Sequence, residues 1–402
     1  MYHWKSLLVC AAFIITPSLH ANPLSECYPD WQQKALTLGL SKQVVESVIP
    51  GLQLLPRVLE LDRRQPEFSV SFSSYFNTRV SEQRIDRGRI LIEEHRSLLN
   101  RLTQEYGVPA QYLIAFWGLE TNYGSFKGNM STLNALATLA CDPRRKDFFT
   151  NQLFDAFALL EEHKIEPTKM VGSWAGAVGH TQFMPGNYRR FAVDGDGDGK
   201  IDLWNSIPDA LTSAANFLKN LGWQTGERWG REVRLPEGFP YLELVERRTR
   251  SLSEWQQLGL TTANGAKLPA EDMQATLVLP AGHTGPAFLA YHNFGVIMNW
   301  NRSEFYALSV GHLADRINGA GRLTIVPPEQ PRLSIVQVQA LQESLKELGL
   351  MDGKVDGILG PATRQAIRAF QQQKDIIPDG FPHPSIFKAL SISPDDSGES
   401  AQ

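Results

Sequence analysis

Cysteine is scarce in this 402-residue chain, which contains three, and neither sign of charge prevails, since the formal net charge is −4. Three cysteines allow at most one intrachain disulfide bond. The balanced charge gives no electrostatic argument for binding nucleic acid or an anionic membrane, so neither is an expected partner. The length, with 42% hydrophobic and 20% charged residues, is typical of a soluble globular protein of two or three domains.

No apolar run reaches the about 20 residues of a membrane span, and the most notable one lies near the N-terminus. A basic residue precedes the apolar residues 6–16, and residues 18–21 (SLHA) form an acceptable cleavage region. We therefore expect residues 1–21 to be a signal peptide cleaved after Ala21, and the mature protein to be periplasmic. Cys10 lacks the preceding small residues of a lipid-attachment site, so a lipoprotein is not expected.

One strongly apolar predicted helix carries a single carboxylate near its end. Pro109 suits the first turn of a helix, and Gly124 lies where a left-handed closing residue is expected. Apolar residues between them recur at helical spacing and predict burial: Tyr112, Leu113, Phe116, Trp117 and Leu119. Burial disfavours the charged form of a carboxyl group, so Glu120 is a candidate proton donor. The alternative is a glutamate that reaches solvent at a helix end.

Two cysteines, Cys27 and Cys141, remain after removal of the signal peptide. An even number in an oxidising compartment favours one disulfide bond, and the alternative is two separate buried thiols. The bond would join the mature N-terminus to the segment that follows the helix of Glu120.

A second informative segment, residues 171–188, is rich in glycine and reads VGSWAGAVGHTQFMPGNY. Small residues let the backbone approach another surface closely. Ser173 and Gln182 add polar groups beside Phe183 and Met184. The segment is therefore either a tight loop or the floor of a binding cleft.

Alternating aspartates predict a cation site in residues 194–209, DGDGDGKIDLWNSIPD. Gly199 allows the sharp turn that a calcium-binding loop needs, but Asn205 stands where such a loop has Glu. A longer loop could still supply a far carboxylate. The predicted ligands are Asp194, Asp196, Asp198, the carbonyl of Lys200, and Asp209. The alternative is a solvated acidic turn.

The remaining sequence predicts a mainly α (α+β) chain. Residues 69–79, which include Tyr75, are loop-like, and residues 228–283 contain short strand-like runs that predict a small mixed α/β insertion. Residues 326–332 form a stiff proline-rich linker. They lead to a small helical module, residues 333–391, and to a tail, residues 392–402, that is expected to be disordered.

Three of these segments together resemble a known family. GLETNYG around Glu120, the glycine-rich segment 171–188 and the aspartate loop 194–209 resemble, in wording, order and spacing, the lytic murein transglycosylases of the B type. The likeness covers residues 24–318. Residues 355–371, VDGILGPATRQAIRAFQ, are similar to a peptidoglycan-binding domain.

Members of that family cleave the β-1,4 bond between N-acetylmuramic acid and N-acetylglucosamine in peptidoglycan and leave a 1,6-anhydro end. The resemblance implies a lysozyme-like, α-rich catalytic domain in residues 22–325, followed by a three-helix peptidoglycan-binding module. It implies that Glu120 first protonates the leaving oxygen and then takes the proton of the attacking muramic acid O6. Ordinary glycosidases need a second carboxylate, and here none appears beside Glu120 or in segment 171–188.

The resemblance also implies the substrate groove. Ser173 would contact the N-acetyl group of the muramic acid, and Gln182 would line the groove near Glu120. Further expected groove residues are Tyr75, Phe148, Phe217, Trp300, Asn301 and Tyr306. Phe148, Phe217 and Trp300 stand where Tyr is expected, so a stacking face is kept and a hydroxyl is lost. For any of these aromatic residues the alternative is core packing.

The implied partners are peptidoglycan glycan strands, with other cell-wall enzymes as candidates, and a monomer is expected. Ca²⁺ would be structural, and no organic cofactor is expected. Two other functions remain: a hydrolytic muramidase, which would leave a reducing end, and a non-catalytic cell-wall scaffold attached through the C-terminal module.

Overall fold

The structure, a computed structural model, describes residues 23–64, 70–244 and 248–392. The predicted signal peptide, 1–21, lies outside these residues, and so does the predicted tail beyond residue 392. Among the described helices, none combines the length and the apolar character that crossing a membrane requires. The chain is mainly helical with a small sheet, as predicted.

The first helices lead to the helix of Glu120. They are α1 (Tyr28–Thr37), α2 (Pro56–Arg64), α3 (Phe72–Arg79), α4 (Glu82–Glu94), α5 (Arg96–Tyr106) and α6 (Ala110–Thr121). The prediction that residues 69–79 form a loop is wrong. Ser71 accepts a hydrogen bond from the Ser74 N–H and caps α3, and Phe72 and Phe76, one turn apart, are both buried.

The middle of the predicted catalytic domain holds four helices and a short two-stranded sheet. The helices are α7 (Thr132–Cys141), α8 (Lys146–Glu162), α9 (Pro185–Phe191) and α10 (Ile207–Asn220). The antiparallel strands are β1 (Met130–Ser131) and β2 (Val171–Gly172). The predicted disulfide bond between Cys27 and Cys141 is present, with a Cα–Cα distance of 6.2 Å, and ties the residue before α1 to the end of α7.

The insertion consists of β3 (Gly230–Arg234), β4 (Thr249–Ser251), α11 (Leu252–Gln257), β5 (Thr261–Thr262), β6 (Gln274–Val278) and β7 (Ala287–Ala290). Its strands form a five-stranded antiparallel sheet in the order β4-β6-β7-β3-β5. The predicted end of the insertion at residue 283 is wrong, because the central strand β7 follows it. All four residues of β7 are buried, so the polar–apolar alternation that marks a half-buried strand is missing.

The chain then returns to the helical core through α12 (His292–Trp300) and α13 (Glu304–Ile317). Residues 326–332 contain no helix or strand. The C-terminal module consists, as predicted, of three helices: α14 (Ile335–Glu347), α15 (Pro361–Gln373) and α16 (Pro384–Ala389). It has its own hydrophobic core, with Leu341, Ile367 and Phe370 among its buried residues.

Candidate active site

Glu120 lies in the last turn of α6, and α6 is almost wholly buried. Every residue from Tyr112 to Leu119 is buried, whereas Glu120 is partly exposed. The helix begins one residue later than predicted, since Pro109 is its N-cap. A rigid apolar helix therefore places one carboxylate at the boundary between core and solvent.

The predicted closing residue of α6, Gly124, is not the residue that ends the helix. Asn122 does so in the left-handed region, with φ 48°, and its N–H bonds to the Gly118 carbonyl. Gly124 also has a positive φ, 79°, but a Cβ there would lie 2.4 Å from the His180 ring. The glycine is therefore needed for a close approach between two segments as well as for its backbone angle.

Two donors hold the same oxygen of Glu120. The Trp300 indole N–H donates to Oε1 at 2.8 Å, and the Tyr306 hydroxyl donates to it at 2.5 Å. Tyr306 is only 4% exposed, and burial followed by the nearby Glu120 charge raises its pKa well above the ordinary value. Tyr306 therefore keeps its proton and remains a donor, as the indole must.

Aromatic rings enclose Trp300 on the side of the core. Phe116, Phe183 and Phe217 have ring centroids 4.6, 5.6 and 5.2 Å from that of Trp300. Phe217 is only 7% exposed and also stacks on Phe191. The core-packing alternative therefore holds for Phe217. Its ring packs against Trp300 on the side of the core and exposes little surface that a sugar could contact.

The other predicted groove residues differ in position. Phe148 is 45% exposed at the start of α8, and its described ring partners are Phe149 and Arg145, not the rings around Trp300. Tyr75 is buried, with the Arg79 guanidinium 5.3 Å from its ring centroid. Asn301 accepts a hydrogen bond from the Ser303 N–H at 3.0 Å in the turn between α12 and α13.

The glycine-rich segment 171–188 lies against the end of α6. Thr121 Oγ1 donates to the His180 carbonyl at 2.7 Å, and the Trp117 indole donates to His180 Nδ1 at 3.0 Å. Burial is the main cause that lowers the pKa of His180 to about 4, so the ring is neutral and can accept this bond. His180 joins the two segments, and no spacing pattern could have predicted its pairing with a tryptophan 63 positions away.

Ser173 and Gln182 both take part in the folding of this segment. Ser173 Oγ accepts a hydrogen bond from the Ala177 N–H at 3.0 Å. Gln182 has a φ of 50°, and its amide nitrogen donates to the carbonyls of Lys127 and Gly179. Both side chains are partly exposed. The segment is thus a tight loop that packs against Trp117 and Thr121 of α6, and this arrangement is compatible with the floor of a cleft.

The aspartate loop brings together three of the five predicted ligands. Carboxylate oxygens of Asp194, Asp196 and Asp209 lie within 4.8 Å of one another, and Asp209 is buried at the start of α10. Asp198 is exposed and outside this group, and its Oδ1 accepts a hydrogen bond from the Lys200 N–H. Three converging carboxylates repel one another and suit a hard cation, which prefers oxygen ligands.

Comparison with known proteins identifies the family of each part of the chain. Residues 24–315 match the transglycosylase SLT domain family, and residues 336–390 match a peptidoglycan binding domain. The chain is 31% identical over 294 residues to the membrane-bound lytic murein transglycosylase B of Escherichia coli K12, covering 69% of this chain and 79% of that protein.

Solved structures give the same result. SltB3 from Pseudomonas aeruginosa, crystallised with NAG-anhNAM-pentapeptide, is 43% identical with a TM-score of 0.87, and the match covers 92% of this chain and 99% of that one. Escherichia coli Slt35, crystallised with calcium, is 30% identical with a TM-score of 0.63, covering 74% of this chain and 93% of that one. The predicted lysozyme-like catalytic fold is confirmed. The chain therefore belongs to the B-type lytic murein transglycosylase family and is a peptidoglycan lytic transglycosylase.

Proposed function

We propose that Glu120 is the acid/base that cleaves the β-1,4 bond between N-acetylmuramic acid and N-acetylglucosamine, with formation of a 1,6-anhydro end. One observation carries the proposal: the two donors on Glu120 Oε1, from Trp300 and Tyr306, hold a partly exposed carboxylate at the end of a buried helix. The anhydro sugar bound to the SltB3 relative supports the same product here.

The hydrogen bonds explain how one carboxyl group can serve twice. The carbonyl oxygen of a carboxylic acid is a better acceptor than its hydroxyl oxygen, so two donors on Oε1 keep the proton on Oε2. Oε2 protonates the leaving O4 as the C1–O4 bond breaks, and it later accepts the O6 proton as O6 bonds to C1. Oε1 can accept the same two hydrogen bonds in both states, so the side chain need not move between the steps.

The remaining groove residues would position the sugars. Ser173 would contact the N-acetyl group of the muramic acid, whose oxygen can stabilise the cationic C1 in place of a second carboxylate. Gln182 would line the groove. Its side chain would be held in place there, because its amide nitrogen donates to the Lys127 and Gly179 carbonyls. Among the predicted groove residues, the partly exposed Trp300 and the exposed Phe148 offer an aromatic surface for stacking.

The aspartate loop would hold a structural Ca²⁺. Asp194, Asp196 and Asp209 are the proposed carboxylate ligands, and further oxygens would come from Asp198 and the Lys200 carbonyl after a local adjustment. The donor set fits this ion, because it consists of oxygens only and one of its carboxylates is buried. The ion would fix the chain that follows segment 171–188, and the Slt35 relative crystallised with calcium supports the choice of ion.

The enzyme would act in the periplasm as a monomer after removal of residues 1–21, with glycan strands as its substrate and other cell-wall enzymes as candidate partners. The peptidoglycan-binding module supports this assignment, since it would hold the enzyme on the sacculus.

Mass spectrometry of the products released from purified sacculi tests the reaction. We expect anhydro-muropeptides from the wild type and from Glu105→Gln, an exposed glutamate on α5, and none from Glu120→Gln. Products heavier by one water would indicate a muramidase instead. Anhydro products from Glu120→Gln would contradict the assignment of Glu120. A wild-type protein that releases no product from sacculi would indicate a non-catalytic scaffold.

A further inference from the structure

Three side chains of types that can bind a metal ion lie together where the sheet insertion contacts the C-terminal module. His283 lies in the turn after β6, and Asp379 and His383 lie just before α16. Asp379 Oδ2 is 2.6 Å from His283 Nδ1 and 2.7 Å from His383 Nε2, and it also accepts a hydrogen bond from the His283 backbone N–H. Catalysis by Glu120 makes no use of this cluster.

An internal repeat in the module distinguishes the structural role of Asp379 Oδ1 from the contacts that Oδ2 makes with the two histidines. Asp356-Gly357 and Asp379-Gly380 occur at equivalent turns, each before a helix that begins with proline. In both copies a buried glutamine, Gln342 or Gln371, donates its amide to Oδ1 of the aspartate. In both copies the backbone N–H two residues later also bonds to Oδ1.

The second carboxylate oxygen of the aspartate, Oδ2, distinguishes the two copies. At the helix N-cap, four residues after the aspartate, the first copy has Gly360 and the second has His383. In both copies Oδ1 accepts the hydrogen bonds that hold the turn. The contact between Asp379 Oδ2 and His383 is present in the second copy, where the first copy has a glycine, so the turn itself does not require it. A purely structural aspartate would not need this contact.

Gly282 keeps the insertion close to the cluster. Its φ is +71°, and a Cβ there would lie 2.7 Å from Asp379 Oδ2 and 2.9 Å from His383 Nε2. The Asp379 side chain is fully buried, whereas the side chains of His283 and His383 are 25% and 14% exposed. The cluster is therefore tightly enclosed by backbone, while the two histidine side chains reach the surface.

We propose that His283 Nδ1, Asp379 Oδ2 and His383 Nε2 bind a divalent transition-metal ion of the Zn²⁺ class. Two imidazoles and a carboxylate are a ligand set that Zn²⁺ accepts, with water as the fourth ligand. Metal–ligand bonds of about 2.0–2.2 Å separate tetrahedral ligands by roughly 3.3 Å, so the ligands move apart by about 0.6 Å when the ion replaces the two facing protons. Gln371 and the Phe381 N–H would hold the carboxylate in orientation through Oδ1.

The ion would link two parts of the chain that are 96 residues apart at His283 and Asp379. Because it binds only when the module lies against the insertion, it would stabilise that docked arrangement by a free energy that grows with the logarithm of its concentration above the Kd. This inference does not depend on Glu120 or on the identity of the glycan bond.

Amide side chains allow a sharp test, because they can donate the same hydrogen bonds but bind Zn²⁺ poorly. His383→Gln places a nitrogen near the position of Nε2, and His283→Asn places one near that of Nδ1. Zn²⁺ is titrated into the tag-free mature chain against a chromophoric chelator, in the presence of Ca²⁺. His163→Gln, far from the cluster, is the matched control.

We expect one Zn²⁺ per chain in the wild type and in His163→Gln, and an affinity more than about tenfold lower in His383→Gln and His283→Asn. Co²⁺ should give a tetrahedral visible absorption band in the wild type that both of these variants lose. No stoichiometric binding by the wild type, or binding that neither substitution weakens, would overturn the proposal and leave a hydrogen-bonded contact only.

Discussion

Trp300 and Glu120 are joined by a 2.8 Å hydrogen bond across 180 positions of sequence. The bond connects the end of α12 to the end of α6. An indole N–H can only donate, whereas a tyrosine hydroxyl at the same place could also accept. Trp300 therefore restricts Glu120 Oε1 to the acceptor role, and the residue expected to stack on sugar also orients the carboxylate that we propose as the acid/base.

Replacing Trp300 by Phe should reduce turnover of purified sacculi by about 10- to 100-fold, because a hydrogen bond to a charged group contributes about 1.5–3 kcal/mol. The loss should appear mainly in kcat, since the aromatic face remains. The measurement is the rate of anhydro-muropeptide release at saturating sacculi.

Trp255→Phe is the matched control for this substitution. Trp255 is buried in the insertion and donates its indole N–H to the Ala275 carbonyl at 2.9 Å. Its replacement should lower the melting temperature and leave kcat unchanged. Equal losses of kcat in both variants would mean that stability, and not the contact with Glu120, explains the effect.

Gly124→Ala should lower the free energy of unfolding by about 2–3 kcal/mol, because the new Cβ meets the His180 ring at 2.4 Å in addition to an unfavourable positive φ. Gly226→Ala shares the positive φ, 84°, with nothing within 4 Å of its Cβ, so it should cost only about 1 kcal/mol. Urea unfolding measures both. Equal costs would show that the His180 contact can relax.

Chelation of Ca²⁺ should lower the melting temperature of the wild type by about 5 °C, as expected when an ion bound only by the folded state is removed. Asp209→Asn should abolish most of this shift, since Asp209 is buried among the converging carboxylates. Asp198→Asn, which alters an exposed residue outside that group, should keep a larger part of it. The three proteins are compared by calorimetry with and without chelator, and a wild type that shows no shift would refute the calcium site.

The free energy of unfolding should fall as the pH is lowered from about 6.5 towards 4. Burial is the main cause that lowers the pKa of His180 and of His312 to about 4, whereas histidine in the unfolded chain titrates near 6.5. Between these values the unfolded state binds more protons, so each residue contributes stability that is complete above pH 6.5 and is lost on acidification, by up to about 1.4 kcal/mol per pH unit.

Urea midpoints of the wild type, His180→Gln and His312→Gln at pH 7, 6 and 5 test this dependence. Each substitution should make the free energy of unfolding depend less steeply on pH, even where it lowers that free energy at every pH. A slope that neither substitution changes would assign the acid sensitivity to other groups.

Features that depend on neighbours in the sequence could be predicted from it. The buried helix α6 follows from the spacing of its apolar residues, and the convergence of Asp194 with Asp209 follows from the pattern of the loop between them. The pair Cys27–Cys141 follows from the even number of cysteines in the mature chain.

Features that depend on distant partners could not. The roles of Trp300 and His180 are set by contacts with α6, and no local pattern encodes them. β7 has no strand signal in the sequence, because both of its faces are buried and the polar–apolar alternation is absent. Residues 69–79 are loop-like in sequence, yet Ser71 caps the helix α3 that most of them form.

The covalent bond between Cys27 and Cys141 closes a ring of chain that contains Glu120 and the whole of α6. A single proteolytic cut anywhere inside that ring would leave both fragments attached to each other. After a cut within α1 to α5, α6 would stay joined to the rest of the chain through its C-terminal side, and the disulfide bond would keep the N-terminal fragment attached.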